Sequence, residues 1–337
     1  MTLRRMAVLP LAIAVGSLAA CGASAEIVPP PPAPPDPNGD VATPGTAEPA
    51  PGARRASAPP VLPARPTPML SYPGMKTPES VYYDAATDRY LVSNIQGKPQ
   101  EADNNGFISV LSPDGKVVTQ KWIAGGQAKV TLHAPKGTAI QGGALYVADI
   151  DTVRVFDAKT GAPKAELKID GATFLNDVVA TPDGSVWVSD SGVKMGAAGF
   201  EPSGSDAVYR IEKGNTVKTV IKSPDLGGPN GLLPAAAGGV WVSTYRGAEL
   251  YRVDDKGVKQ DVNKLPKGTL DGLVQVGDTI LVASWDAETI YRGKPGGTFE
   301  PALVGIESPA DIGWDAKRSR LLVPLFDKDV VEVFEIK

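Results

Sequence analysis

The chain has 337 residues, of which 42% are hydrophobic and 21% charged, and this composition excludes a wholly disordered chain and a membrane protein with many spanning helices. The net charge is −4, so there is no surplus of basic residues to neutralise phosphates, and we expect no nucleic-acid partner. A single cysteine excludes intramolecular disulfides and cysteine-based zinc sites, and a single histidine excludes any site that needs two imidazoles.

The first twenty residues have the features of a bacterial export signal. Arg4 and Arg5 form a positive start, and residues 6–20 form an apolar stretch too short to span a bilayer comfortably. The stretch ends in Leu-Ala-Ala before Cys21, which resembles a lipobox. This resemblance predicts a lipoprotein signal peptide at 1–20 and a lipid-modified Cys21 that anchors the chain in the cell envelope. Gly22 rather than Asp at the next position favours the periplasmic face of the outer membrane. The alternative is an ordinary secretory signal with a chance cysteine.

Residues 21–68, which begin with the lipidated Cys21, are predicted to form a disordered, proline-rich linker. Fifteen of the 32 prolines fall between residues 22 and 68, with little apolar surface to offset the entropy of ordering. We interpret the segment as a semi-extended tether between the membrane and the folded domain. A polyproline ligand for a protein partner is the alternative.

Residues 69–337 contain six repeated units, each with an alternating strand that ends in a small residue. These strands lie at 90–94, 145–149, 186–190, 240–244, 280–284 and 321–324. A further apolar strand follows each of them, and helical periodicity is nearly absent. Units of 40 to 58 residues suit four-stranded blades, so the sequence predicts an all-β fold, a six-bladed β-propeller. The sixth unit lacks an outer strand, which we expect residues 69–72 to supply.

Each unit has one polar or charged residue just before its first strand. Aligning the units gives the set Glu79, Lys136, Asn176, Asn230, Asp271 and Asp311. Since the first strands of a propeller surround its central channel, these side chains are expected to converge on the axis. Carboxylate and amide oxygens are the ligands that Ca²⁺ prefers. For any single position, an ordinary Asn-Gly or Asp-Gly turn is the simpler explanation.

This pattern resembles the regucalcin/gluconolactonase family, also called senescence-marker-protein and luciferin-regenerating-enzyme-like, with paraoxonase and diisopropylfluorophosphatase as relatives. The resemblance implies a six-bladed propeller with an axial divalent metal, often Ca²⁺, that hydrolyses lactones, other esters or phosphoesters. It also implies the metal ligands Glu79, Asn176, Asn230 and Asp271. The chain departs from the family where Phe174 replaces an arginine of the sugar lactonases, and where Lys136 replaces a histidine of the paraoxonase-like enzymes.

For a hydrolase, the expected catalytic residues are Asp271, Asp311 and Lys136. Either aspartate is a candidate general base or nucleophile, and Lys136 is a candidate stabiliser of an oxyanion. A salt bridge across the channel is the alternative role for Lys136. We expect His133 to lie outside the ring. The long loops 96–106 and 191–206 are candidates for the wall or lid of a substrate pocket.

Two functions follow from these features. The first is an envelope-anchored, Ca²⁺-dependent hydrolase whose substrate is a small-molecule lactone or ester, with another divalent metal as an alternative to Ca²⁺. The second is a propeller without catalytic activity that binds a ligand or a protein partner, with a structural metal. The fold alone does not separate them, because propellers perform both functions.

Overall fold

The computed structural model describes residues 64–197 and 199–336. The predicted signal peptide, the lipidation site Cys21 and most of the predicted linker lie outside these residues. The described residues form six four-stranded antiparallel sheets, one per repeat, and one additional two-stranded hairpin. The prediction of an all-β, six-bladed propeller is confirmed. No helix within these two ranges is long and apolar enough to cross a membrane.

The first three blades follow one another along the chain, and the additional hairpin is inserted in blade three. Blade one contains β2 (Pro78–Asp84), β3 (Arg89–Asn94), β4 (Phe107–Ser112) and β5 (Lys116–Ala124). Blade two contains β6 (Pro135–Gln141), β7 (Ala144–Asp149), β8 (Thr152–Asp157) and β9 (Pro163–Lys168). Blade three contains β10 (Leu175–Ala180), β11 (Val186–Asp190), β14 (Ala207–Glu212) and β15 (Thr216–Lys222), with the hairpin of β12 (Val193–Gly196) and β13 (Gly199–Pro202) between its second and third strands.

The last three blades complete the ring, and blade six takes its outer strand from the beginning of the domain. Blade four contains β16 (Pro229–Pro234), β17 (Val240–Thr244), β18 (Glu249–Val253) and β19 (Lys259–Lys264). Blade five contains β20 (Leu270–Val276), β21 (Thr279–Ser284), β22 (Thr289–Gly293) and β23 (Phe299–Val304). Blade six contains β24 (Gly313–Asp315), β25 (Arg320–Leu325), β26 (Val330–Glu335) and β1 (Leu70–Pro73).

Strand β1 closes the ring, as the sequence predicts for residues 69–72. It pairs antiparallel with β26, with Leu70 opposite Val333 and Tyr72 opposite Val331. Contacts with the propeller begin even earlier, inside the predicted linker. Arg65 donates a hydrogen bond to Gly305 O at 3.0 Å and forms an ion pair with Glu332.

Apolar side chains fill the interfaces between neighbouring blades. Six buried clusters each combine residues from two adjacent blades. The second strands are almost wholly buried because each blade is covered on both faces, whereas the outer strands β9, β15 and β19 carry exposed lysines that discourage pairing with another chain. Trp187 is buried in the cluster between blades three and four.

Candidate functional site

The start of each innermost strand is fixed by one backbone pairing. In every blade, one residue pairs with the last residue of the second strand. These pairs are Pro78–Asn94, Pro135–Asp149, Leu175–Asp190, Pro229–Thr244, Leu270–Ser284 and Pro309–Leu325. The residues that follow them form one ring of equivalent positions, the axial ring: Glu79, Lys136, Asn176, Asn230, Asp271 and Ala310.

This register corrects the predicted position of Asp311. Ala310 occupies the axial ring, and Asp311 lies one residue further along, equivalent to Ser80 and Asp177. Asp311 Oδ2 accepts a hydrogen bond from Ser80 Oγ at 2.6 Å, and Asp311 lines a different cavity together with Asp177. The prediction aligned the sixth unit by its acidic residue, although Pro309 matches the prolines that start the innermost strands of blades one, two and four.

The other five axial residues line one cavity of about 280 Å³. The remaining lining comes from the loops that follow the second strands and from the segments before the first strands. These residues are Ile95, Pro99, Phe174, Ser191, Val193, Phe200, Tyr245, Thr269, Trp285 and Phe326. Both predicted long loops contribute to it, Pro99 from 96–106 and Val193 and Phe200 from 191–206. The sequence did not indicate Tyr245, Trp285 or Phe326, because isolated aromatics in short loops carry no repeat signal.

Two carboxylates of the axial ring are buried and incompletely satisfied. Glu79 is 5% exposed and Asp271 is 7% exposed, and Glu79 Oε2 and Asp271 Oδ1 are buried without a hydrogen-bond partner. Burial raises the pKa of Asp271 to about 7, against the opposing effect of the hydrogen bond from Trp285. Burial, together with the charges of Asp271 and Asp311, raises the pKa of Glu79 well above its usual range.

The two axial amides have their nitrogen atoms engaged by the protein. Asn176 Nδ2 donates to Ser191 Oγ at 3.0 Å, and Asn230 Nδ2 donates to Leu270 O at 2.9 Å. Each amide therefore has its oxygen available as an acceptor or ligand. Two carboxylates and two amide oxygens form a donor set that suits a hard cation. In the described ranges no group of three or more His, Cys, Asp or Glu side chains is placed to hold a metal ion, so a cation at the axial ring would need amide ligands as well as the two carboxylates.

Lys136 is the cationic member of the ring. It is 1% exposed, its Nζ donates to Ala134 O at 3.0 Å, and it lies 4.4 Å from the centroid of the Phe174 ring. Burial lowers the pKa of Lys136 to about 8, although the charges of Glu79 and Asp149 act in the opposite direction. Two of its three N–H donors remain for a ligand in the cavity.

Second-strand serines fix the backbone of the axial ring across blade boundaries. Ser189 Oγ in blade three donates to Asn230 O in blade four at 2.6 Å, and Ser243 Oγ in blade four donates to Asp271 O in blade five at 2.5 Å. The recurring serine in the Val-Trp-Val-Ser strands is thus a positioning residue, a role that the sequence repeat did not reveal.

The polar residues that end the second strands hold the loops before the axial ring. Asp190 accepts hydrogen bonds from the backbone N–H groups of Thr173 and Phe174, and Asp149 accepts one from Ala134 N at 2.8 Å. Neither aspartate lines the cavity. His133 also lies outside it, as expected, and its Nδ1 accepts a hydrogen bond from Asn104 N at 2.9 Å.

The sequence and the fold identify the family. Residues 78–310 match the family model described as the SMP-30/gluconolactonase/LRE-like region, which covers more than half of the chain. The chain belongs to this family. The resemblance inferred from the repeat and the axial residues is confirmed, whereas the roles of individual site residues remain predictions. No curated protein sequence matches the chain.

Solved structures with the same architecture have diverse functions. A gluconolactonase from Xanthomonas campestris is 16% identical, with 79% of this chain and 88% of that chain covered and a TM-score of 0.59. A streptogramin B lyase is 11% identical, with 77% and 94% covered and a TM-score of 0.56. A chain of a nidogen/laminin complex is 15% identical, with 66% and 77% covered and a TM-score of 0.52. At these identities the likeness shows the fold alone.

Proposed function

We propose that this member of the SMP-30/gluconolactonase/LRE-like family is a metal-dependent hydrolase of lactone or ester bonds, with Ca²⁺ or another divalent cation held by Glu79, Asn176, Asn230 and Asp271. The observation that carries the proposal is the pair of buried, unpartnered carboxylate oxygens, Glu79 Oε2 and Asp271 Oδ1, in one cavity. Membership of a family named for gluconolactonase supports the choice of bond.

The charges of the cavity support a bound cation. Buried carboxylates are costly unless they are paired, protonated or bound to a metal. Lys136 supplies one positive charge against the two carboxylates of Glu79 and Asp271, and each carboxylate retains an unused oxygen. A divalent cation would offset both negative charges, and the two amide oxygens would add ligands without further repulsion.

A divalent ion at this position would polarise the scissile carbonyl and acidify a nearby water. Asp271 is the candidate general base for that water, and Trp285 Nε1 orients its carboxylate by donating to Asp271 Oδ2 at 2.8 Å. Lys136 can donate a hydrogen bond to the oxyanion that develops on the substrate. Asp311 has no part in this scheme, because it lies outside the cavity.

A calorimetric titration with Ca²⁺ after chelation tests the proposal directly. We expect one site with a dissociation constant on the order of micromolar, lost in Asp271→Ala. Asp311→Ala is the matched control, since it removes a half-buried carboxylate one residue beyond the axial ring and should retain binding. If the wild-type protein binds no divalent ion, or if Asp271→Ala binds it equally well, the proposed centre is wrong. Hydrolysis of lactones, aryl esters and phosphotriesters is then measured with the loaded protein.

Ligand binding without turnover is the second candidate function. This chain has Phe174 where the sugar lactonases have an arginine, and Lys136 where the paraoxonase-like enzymes have a histidine. Both differences favour ligand binding without turnover. Tight metal binding without hydrolysis of any of the three substrate classes would support this second function over the first.

We further propose that the chain is anchored in the envelope through a lipid on Cys21, on the periplasmic face of the outer membrane. The support is the lipobox-like sequence that precedes Cys21, followed by Gly22. Membrane fractionation of a Cys21→Ser variant tests this proposal: the variant should leave the membrane fraction, and retention there would contradict a lipid anchor.

A further inference from the structure

The cavity above the axial ring has aromatic walls. On one side Phe174, Phe200 and Tyr245 pack edge to face, with ring centroids 5.3 Å apart for Phe174–Phe200 and 6.3 Å apart for Phe200–Tyr245. On another side Trp285 packs against Phe326 with centroids 5.2 Å apart. Charged groups are confined to the axial ring at the base of the cavity.

Few polar groups are available on these walls. Away from the axial ring the lining offers the hydroxyl groups of Tyr245 and Thr269. The third hydroxyl, Ser191 Oγ, already accepts from Asn176 Nδ2 and donates to Pro229 O. A substrate with many hydroxyl groups would therefore leave most of them without a partner in the cavity.

Hydrogen bonds fasten the part of the aromatic wall that carries Phe174 and Phe200. Phe200 lies on β13, and Gln100 Nε2 from the neighbouring loop donates to Val193 O at 2.9 Å and to Thr173 O at 3.1 Å. Thr173 Oγ1 in turn shares hydrogen bonds with the hydroxyls of Ser203 and Ser205. These contacts join both long loops to the segment that carries Phe174, so the apolar wall exists before any ligand binds.

From this arrangement we infer that the cavity selects a lactone or ester with an apolar alkyl or aryl substituent and discriminates against polyhydroxylated sugar lactones. The inference rests on the proposed function, because the carbonyl of such a substrate would face the axial ring while its substituent packs between the aromatic walls. A volume of about 280 Å³ limits the substituent to a small ring or a short chain.

The expected selectivity follows from the two ends of the cavity. Each methylene placed against the walls contributes up to about fourfold in affinity. Each added hydroxyl that finds no partner costs up to about 100-fold. The axial ring provides hydrogen bonds for the carbonyl group in either type of ligand. The difference in affinity between the two types therefore comes from the aromatic walls.

Binding of hydrolysis-resistant lactams tests the inference without requiring turnover. The probes are δ-valerolactam, 6-propylpiperidin-2-one and D-glucono-δ-lactam, titrated calorimetrically into the purified protein, once with Ca²⁺ and once with a chelator. We expect the propyl lactam to bind at least about tenfold more tightly than δ-valerolactam, and the glucono lactam to bind more weakly than the propyl lactam by at least the same factor.

Variants of the hairpin locate the source of the selectivity. Phe200→Ala should reduce the preference for the propyl lactam several-fold, and Phe200→Leu should retain most of it because an apolar side chain remains. Lys194→Ala is the matched control: it changes an exposed residue of β12 and should leave the preference intact.

Tighter binding of the glucono lactam, an unchanged preference in folded Phe200→Ala, or no binding of any lactam to the folded protein would overturn the inference. Failure of the proposed function is distinguishable from these outcomes. If the protein prefers the propyl lactam but hydrolyses none of the corresponding lactones, the inferred selectivity is supported and the proposed hydrolase function is wrong.

Discussion

Trp285 Nε1 donates a hydrogen bond of 2.8 Å to Asp271 Oδ2, and the same indole packs against Phe326 in the apolar wall of the cavity. One side chain thus joins the carboxylate of the axial ring to the surface that would hold a substrate. The bond engages Oδ2 and leaves Oδ1, which is buried without a partner, as the oxygen available to a cation. The indole therefore determines which oxygen of Asp271 is available to a cation.

Trp285→Phe removes this hydrogen bond and keeps most of the apolar surface. We expect Ca²⁺ affinity to fall by roughly 10- to 100-fold, the usual effect of losing a group that orients a metal ligand. Calorimetric titration measures the change. Trp314→Phe is the control, because Trp314 lies in blade six outside the cavity and should leave the affinity unchanged. Equal affinities in the two variants would show that Trp285 does not orient Asp271.

The Asn-Gly and Asp-Gly pairs of the axial ring have a structural reason other than a turn. A Cβ atom on Gly272 would lie 2.5 Å from the Cα of Asp311 in the next blade and 2.2 Å from its Oδ1. Neighbouring innermost strands approach so closely there that only glycine fits beside the axial residue. Turn propensity alone explains these pairs from the sequence, and the close approach becomes visible only when the blades are assembled.

Gly272→Ala should therefore destabilise the protein by about 1–3 kcal/mol through overpacking. Denaturant unfolding measures the loss. Gly97→Ala is the matched control, because the nearest atom to its Cβ would be Asp103 Oδ2 at 3.4 Å, an ordinary contact. We expect the control to change stability by less than about 0.5 kcal/mol. Equal stabilities for both variants would contradict the close approach of blades five and six.

The fold could be predicted from the sequence because the repeat of apolar strands recurs six times. The closing strand could be predicted because the sixth unit lacks an outer strand. Five of the six axial residues followed from the same repeat. Asp311 was misplaced by one residue, since β-strand register depends on backbone pairing and the unit offered two plausible alignments around Pro309. The aromatic walls could not be predicted, because Phe200, Tyr245, Trp285 and Phe326 come from four separate loops that meet only in the folded ring.

Removal of β1 should open the ring. Tyr72 is fully buried, donates from its hydroxyl to Ser112 O at 2.7 Å, and packs edge to face on Tyr90. Loss of one large buried aromatic side chain alone typically destabilises a protein by about 3–5 kcal/mol. A chain that begins at Gly74 should therefore melt far below the full-length protein or fail to fold, as thermal unfolding followed by circular dichroism would show.

Two longer chains serve as controls for this truncation. A chain that begins at Ala64 retains the Arg65–Glu332 ion pair and should melt within about 2 °C of the full-length protein, since a change well below 1 kcal/mol shifts the melting temperature of a large domain by no more than that. A chain that begins at Met69 loses that ion pair, which is half-exposed and contributes at most about 1 kcal/mol. A large drop already in the chain from Ala64 would show that earlier residues stabilise the propeller.

The buried Lys136 should make the metal-free protein more stable as the pH rises from 8 to 10.5. Its pKa is lowered to about 8 by burial, while the unfolded chain titrates near 10.5, so between these values the unfolded state binds the additional proton. The charges that act on this amine are those of Glu79 and Asp149, and both raise its pKa. The test compares the free energy of unfolding of wild type with that of Lys136→Met, measured by denaturant unfolding with a chelator. We expect wild type to gain stability relative to Lys136→Met as the pH rises from 8 to 10.5, and the difference between them to stay constant above pH 10.5. Lys194→Met, on the exposed hairpin, should show no such shift, and a level difference for Lys136→Met would mean that the amine remains charged in the folded protein.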